Sequence, residues 1–268
     1  MKTLKFLLAS FATIFISIYI IFIGYVYVNQ VDIVFQSSKL DVNYKFNYKQ
    51  IFEEITVSSF DKNLLHGLLF KTEKAKGLVF YLHGNAGNLS SWGDISTIYT
   101  DLGYDIFILD YRGFGKSQRK ISNETQLNQD VFAAYRKMCL RYQESKIVVV
   151  GYSIGSGPAA ILAVNNSPKA LILQAPYYSF DELSDSRVPF FPSFLKNFKF
   201  ETFTYIEKIK APIYVFHGDQ DEVIDVVNSI RLSKLLRSKD TFVLLKNQGH
   251  VGVNENFTFQ TELKKILE

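Results

Sequence analysis

Gly151-Tyr152-Ser153-Ile154-Gly155 sets a serine between glycines two residues before and two after it, directly behind the β-branched run at 147–150 and ahead of a small-residue helical stretch. In that context the G-x-S-x-G spacing has a chemical meaning. A sharp strand-to-helix turn lifts the serine Oγ clear of a sheet, and the two glycines let the backbone pass closely. Ser153 is the expected nucleophile. The helix after it opens at Ile154, so unpaired N–H groups and the positive end of the helix dipole face charge developing at the serine.

A serine hydroxyl is a poor nucleophile near neutral pH, so a base must lie within hydrogen-bond reach and a carboxylate must orient that base. The chain has four histidines. His66 falls in an early hairpin, while His83 and His217 each close an apolar run as His-Gly, where bracing a loop is the simpler role. His250, in Asn247-Gln248-Gly249-His250, follows the last apolar run, and loops after strand C-termini form the active face of parallel sheets. His250 is the expected general base and acid. Asp219, Asp221 and Asp225 follow the run at 213–216, and any of them satisfies the chain order Ser, Asp, His. Asp221 is preferred because it lies far enough past the strand end to turn back toward His250. Two backbone donors are needed for the oxyanion. One is the Ile154 N–H; the other is assigned to the loop at 83–88, with Asn85 favoured and Ala86 second. That loop has neither G-x-G-x-x-G nor a Walker lysine, so it does not read as a phosphate cradle.

Short β-branched runs at 55–60, 64–70, 77–82, 105–109, 147–150, 170–173, 213–216 and 242–245 alternate with helix-length segments at 88–102, 124–142, 156–165, 226–236 and 256–267. Alternation of this kind predicts an α/β domain with a mostly parallel sheet and helices on both faces. The first two runs, separated only by Asp61-Lys62-Asn63, predict an antiparallel edge hairpin. The single cysteine, Cys139, excludes disulfide and zinc-finger scaffolds. With 47% hydrophobic and 21% charged residues, the chain is neither disordered nor fibrous. A net charge of +4 without long Lys/Arg runs argues against a nucleic-acid partner.

Residues 6–28 carry no charge, and as a helix they would extend roughly 34 Å, enough to span a bilayer. The stretch is too long for a signal-peptide core and lacks a small-x-small cleavage site. Residues 1–30 are therefore expected to be an uncleaved single-pass anchor and 31–268 the catalytic domain. Lys2 and Lys5 before the stretch and Asp32 after it favour a cytoplasmic N-terminus and an extracytoplasmic domain. Lys39, Lys45 and Lys49 weaken that bias.

Four blocks, HGNAGN from His83, LDYRGFGKS from Leu109, GYSIGSGPAA from Gly151 and HGDQDEVI from His217, together with Gly249-His250, resemble the α/β-hydrolase superfamily, and within it the membrane-anchored alpha/beta-hydrolase-domain-containing serine hydrolases. The resemblance covers residues 50–268. It implies an eight-stranded sheet and esterase-, thioesterase- or lipase-like acyl hydrolysis without metal or organic cofactor; separately, the protein is expected to be a monomer. The resemblance also implies that Asp110, Arg112 and Gly113 brace a turn beside the site. Asp225 stands where proline is common, and Val251-Gly252 where Asn-Asp is common; these departures bear on the substrate rather than on the nucleophile.

Residues 177–210 occupy the usual lid position and are short and rich in Phe. Phe190 and Phe194, with Tyr152 beside the nucleophile, are expected to line the substrate site, for an acyl chain or facing the membrane; ordinary packing is the alternative. Two other functions fit the same residues, a peptidase or amidase and a non-catalytic anchored binding protein. The first has no room for the large extra domain of many such enzymes, and the second would more typically have lost Ser153 or His250. Asn88, Asn123, Asn165 and Asn256 each begin an Asn-x-Ser/Thr sequon.

Overall fold

The structure is a computed structural model and describes residues 2–268. Eight strands form the main sheet: β1 (Phe52–Ser58), β2 (Leu64–Phe70), β3 (Leu78–Leu82), β4 (Asp105–Asp110), β5 (Ile147–Tyr152), β6 (Ala170–Gln174), β7 (Ile213–Gly218) and β8 (Thr241–Leu245). All eight runs expected from the sequence are strands. Their spatial order is β8-β7-β6-β5-β3-β4-β2-β1. β1 and β2 form the expected antiparallel hairpin, β2 is also antiparallel to β4, and every other pairing is parallel, so the sheet is mixed.

β3 through β6 are buried at every position because both faces are covered. One face packs against helices Glu124–Cys139 and Ser156–Asn165 through residues such as Val131, Tyr135, Ala159 and Leu162. The other packs against Leu89, Tyr99 and the C-terminal helix Phe257–Leu267 through Phe259 and Leu263. The helix expected over 88–102 is instead broken into Leu89–Trp92, a 3₁₀ turn at Gly93–Ile95 and Ser96–Thr100. Asn88, Asn123 and Asn256 each accept an N–H bond as an N-cap, which satisfies a donor the helix itself leaves orphaned. Three of the four sequons are thus helix starts.

The N-terminal helix spans Lys2–Val34 and does not stop where the apolar run ends. The expected break at residue 30 falls inside it. Val26 and Gln30 are buried against the domain, and the Gln30 amide donates to the Leu195 carbonyl at 3.2 Å and accepts from the Asn197 N–H at 2.7 Å. A polar residue that reads as the end of an anchor is therefore a packed, hydrogen-bonded one. Gln36–Ser37 next pairs in parallel with Ala86–Gly87, tying this segment to the loop after β3.

Arg112 is among the largest fully buried side chains. Its guanidinium donates to Asp130 at 2.5 and 2.8 Å and to both carboxylate oxygens of Asp61 at 2.8 Å, joining the turn after β4 to the hairpin and to helix Glu124–Cys139. The bracing role that the resemblance implied for Arg112 has this geometry. Arg112→Ala leaves Asp130 buried without its cation, so a loss of about 3–5 kcal/mol is expected; thermal unfolding beside an Arg119→Ala surface control measures it.

Candidate active site

The order β4-β3-β5-β6 is the topological origin of the site. The chain leaves β3 toward β4 on one side, whereas β5 leads through helix Ser156–Asn165 to β6 on the other, and loops diverging from neighbouring parallel strands open a crevice at their C-terminal ends. Asn85 follows β3 and Ser153 follows β5, so the two meet at that crevice.

Ser153 has φ of 53°, in the left-handed region. The turn that imposes this also accounts for both flanking glycines. A Cβ on Gly151 would meet the Ala159 Cβ and the Gly155 carbonyl at 2.6 Å, and one on Gly155 would run into the Leu82 carbonyl. Tyr177 fixes the helix start, its hydroxyl donating to the Ile154 carbonyl at 3.1 Å and accepting from the Gly157 N–H at 3.0 Å.

His250 comes from the loop after β8. Its Nε2 lies 3.0 Å from the Ser153 Oγ and its Nδ1 2.7 Å from the Asp221 Oδ2. The carboxylate can only accept, which puts the imidazole proton on Nδ1 and leaves Nε2 to accept from the serine hydroxyl. Burial alone would raise the Asp221 pKa. Hydrogen bonds from His217, His250 and the Ile224 N–H outweigh that and hold the carboxyl well below the usual range. Asp219 and Asp225 lie elsewhere: Asp219 accepts from the Asn247 N–H and Asp225 from the Val227 N–H, both as turn residues.

The remaining histidines are engaged apart from Ser153. His66 meets Glu54 at 2.9 Å, and His83 donates from Nδ1 to the Gly84 carbonyl at 2.7 Å. His217 bonds Ser229 at 2.6 Å and the Ile224 carbonyl at 2.8 Å besides reaching Asp221 at 3.1 Å. It is thus a second support of the carboxylate that sequence reasoning saw only as a loop brace. Behind His250, Tyr81, Gln174 and Asn254 close a buried ring of hydrogen bonds that Tyr99 joins, holding the segment after His250 to β3 and β6.

A cavity of about 360 Å³ has Ser153, Ile154 and Asn85 in its lining. Ala86, the second choice for the oxyanion loop, is paired with Gln36 and does not line it. Three of the residues expected to touch substrate do not line it either. Tyr152 is buried and donates from its hydroxyl to the His250 carbonyl at 2.6 Å, so it steadies the histidine loop. Phe190 and Phe194 point outward, 83% and 82% exposed. The apolar wall is made instead by Phe180, Leu183, Phe191 and Phe198 of the lid, and by Val26, Ile33 and Val34 of the N-terminal helix. Spacing alone did not separate inward from outward phenylalanines, because the lid has little regular helix. Among the described residues no cluster of three or more His, Cys, Asp or Glu is arranged to hold a metal ion.

Residues 77–207 match the family model of the alpha/beta hydrolase fold. Alpha/beta hydrolase domain-containing protein 17B of Xenopus laevis is 32% identical over 202 residues, covering 72% of this chain and 67% of that protein. The Homo sapiens protein of the same name is 31% identical with the same coverage. Among solved structures, a Pyrococcus furiosus esterase superposes with a TM-score of 0.71 at 16% identity, over 87% of this chain and 96% of that one. The esterase domain of a Rhodothermus marinus protein does so with a TM-score of 0.62 at 17% identity, over 81% and 96%. The expected fold and family are those observed: the chain belongs to the alpha/beta hydrolase family.

Proposed function

We propose that the protein is a membrane-anchored serine hydrolase that cleaves carboxylic ester or thioester bonds of acyl substrates. The observation that carries this reading is the hydrogen-bonded line from Asp221 through His250 to Ser153 beside an apolar cavity. Ser153 attacks the acyl carbon as His250 takes its proton, and Asp221 stabilises the imidazolium. The N–H groups of Ile154 and Asn85 receive the charge that forms on the carbonyl oxygen. His250 then protonates the leaving oxygen or sulfur, and as a base it activates the water that releases the acid. Every group in this sequence belongs to the chain itself. The cavity is largely apolar, which suits an acyl chain better than a peptide.

In the same reading the long uncharged helix is a single-pass anchor with its short N-terminus in the cytoplasm, the remainder is one extracytoplasmic domain, and the protein acts as a monomer. The relatives' hydrolase names and the esterase neighbours support the chemistry in outline.

Fluorophosphonate labelling and turnover of p-nitrophenyl esters by the full-length protein test the mechanism. Ser153→Ala should abolish labelling and lower kcat by about 10⁶-fold, and Asp221→Ala by about 10⁴-fold; retained labelling in Ser153→Ala would refute the assignment. Leu183→Trp, which narrows the cavity, should shift the preferred ester toward shorter chains, read from kcat/KM across a chain-length series. The depressed pKa of Asp221 adds a signed prediction: its ionised form contributes stability fully above the unfolded value near 3.9 and loses it as pH falls through the folded one. The gap in Tm between wild type and Asp221→Asn should therefore narrow below about pH 4.

A further inference from the structure

The anchor helix and the lid are one unit. Val26, Gln30, Ile33 and Val34, spaced as one helical face, form a wall of the cavity across nine residues, roughly 12 Å of helix. Gln30 clamps the far side of the lid through Leu195 and Asn197. Eleven residues earlier, roughly 16 Å along the axis, the Tyr19 hydroxyl donates to the Phe190 carbonyl at 2.9 Å. The lid tip therefore descends beside the helix to the middle of its uncharged stretch.

The lid's composition follows that descent. Between Arg187 and Lys196 no residue is charged. Phe190 and Phe194 face outward there, while Lys196, adjacent to the residue that Gln30 holds, is paired at 2.7 Å with both Asp181 and Asp185. Polar groups thus stand level with Gln30, just beyond the apolar run, and the backbone at exposed Phe190 stands level with Tyr19, within it. A backbone carbonyl at hydrocarbon depth must find a donor, and Tyr19 supplies one to Phe190.

We infer that the lid tip is immersed in the bilayer beside the anchor, and that the cavity is filled from there by the acyl chain of a membrane lipid ester, drawn along the Val26–Val34 face of the helix until its ester bond meets Ser153. The inference rests on the hydrolase reading above and assigns it a substrate class and a route. It also gives Phe190 and Phe194 a function outside the cavity, as the contacts that seat the lid in lipid.

The test uses the full chain in phosphatidylcholine vesicles, with p-nitrophenyl acetate as the soluble substrate and a sixteen-carbon methylumbelliferyl ester dissolved in the bilayer. Phe190→Ser/Phe194→Ser should keep acetate turnover and fluorophosphonate labelling within about twofold and lose at least tenfold on the bilayer-held ester. An unchanged rate on that ester, or an equal loss on both substrates, overturns the inference. In a second measurement, an environment-sensitive nitrobenzoxadiazole dye on Phe194→Cys, in a Cys139→Ser background, should be quenched by nitroxide lipids; quenching by aqueous iodide alone overturns it. If the wild type neither labels nor hydrolyses acetate, the hydrolase reading has failed instead, and the dye still reports where the lid lies.

Discussion

The turn at Ser153 leaves no volume for side chains on either flank, and the arrangement of the site follows from that restriction. Gly151 lies against Ala159 and the Gly155 carbonyl, Gly155 lies against the Leu82 carbonyl, and Ser153 itself adopts φ of 53°. A backbone this tight stays folded only where its surroundings hold it. Here β5 is buried on both faces between β3 and β6, and Tyr177 ties the first turn of the following helix through two hydrogen bonds. The strained residue is also the one whose hydroxyl meets His250, so the rigidity of the sheet becomes precision at the serine.

Loops hold the other two members of the hydrogen-bonded line, and loops need different support. Asp221 receives four donors, from two histidines and the Val223 and Ile224 N–H groups. The His250 loop is held by Tyr152 at its carbonyl and by the buried ring of Tyr81, Gln174 and Asn254 a few residues on. Buried polar networks of this kind hold a geometry only when every member is paired, and in this ring each side chain both donates and accepts. The apolar layers above and below the sheet set the fold, and these polar ties align the loops.

The same division holds at the N-terminus. A long apolar helix contributes nothing to a particular cavity unless something fixes its rotation and height. Buried Gln30 does so through bonds to the lid, and the Asn85 side chain caps the helix by donating to the Val34 carbonyl at 3.2 Å. Since Asn85 also follows β3 at the crevice, the end of the helix and the loop proposed to bind the oxyanion share one residue.

Much of this was legible in the chain. Periodicity gave all eight main strands and their mostly parallel order, since β-branched runs buried on both faces have no other economical arrangement. The G-x-S-x-G spacing singled out Ser153, and strand-end position singled out His250 and Asp221 over Asp219 and Asp225, and the structure joins these three side chains in one hydrogen-bonded line, because their placement is a local property of a strand and its following loop. What the sequence left undetermined is where side chains point in segments without a repeat. Phe191 and Phe198 turn inward while Phe190 and Phe194 turn outward; even on regular elements, Tyr152 at the end of β5 braces the His250 loop and Gln30 in the N-terminal helix bonds to the segment at 195–197. Local pattern determines the elements and where the candidate side chains fall; contacts between residues far apart in the chain decide the walls of the cavity, because burial and hydrogen bonding there depend on partners that no sequence window contains.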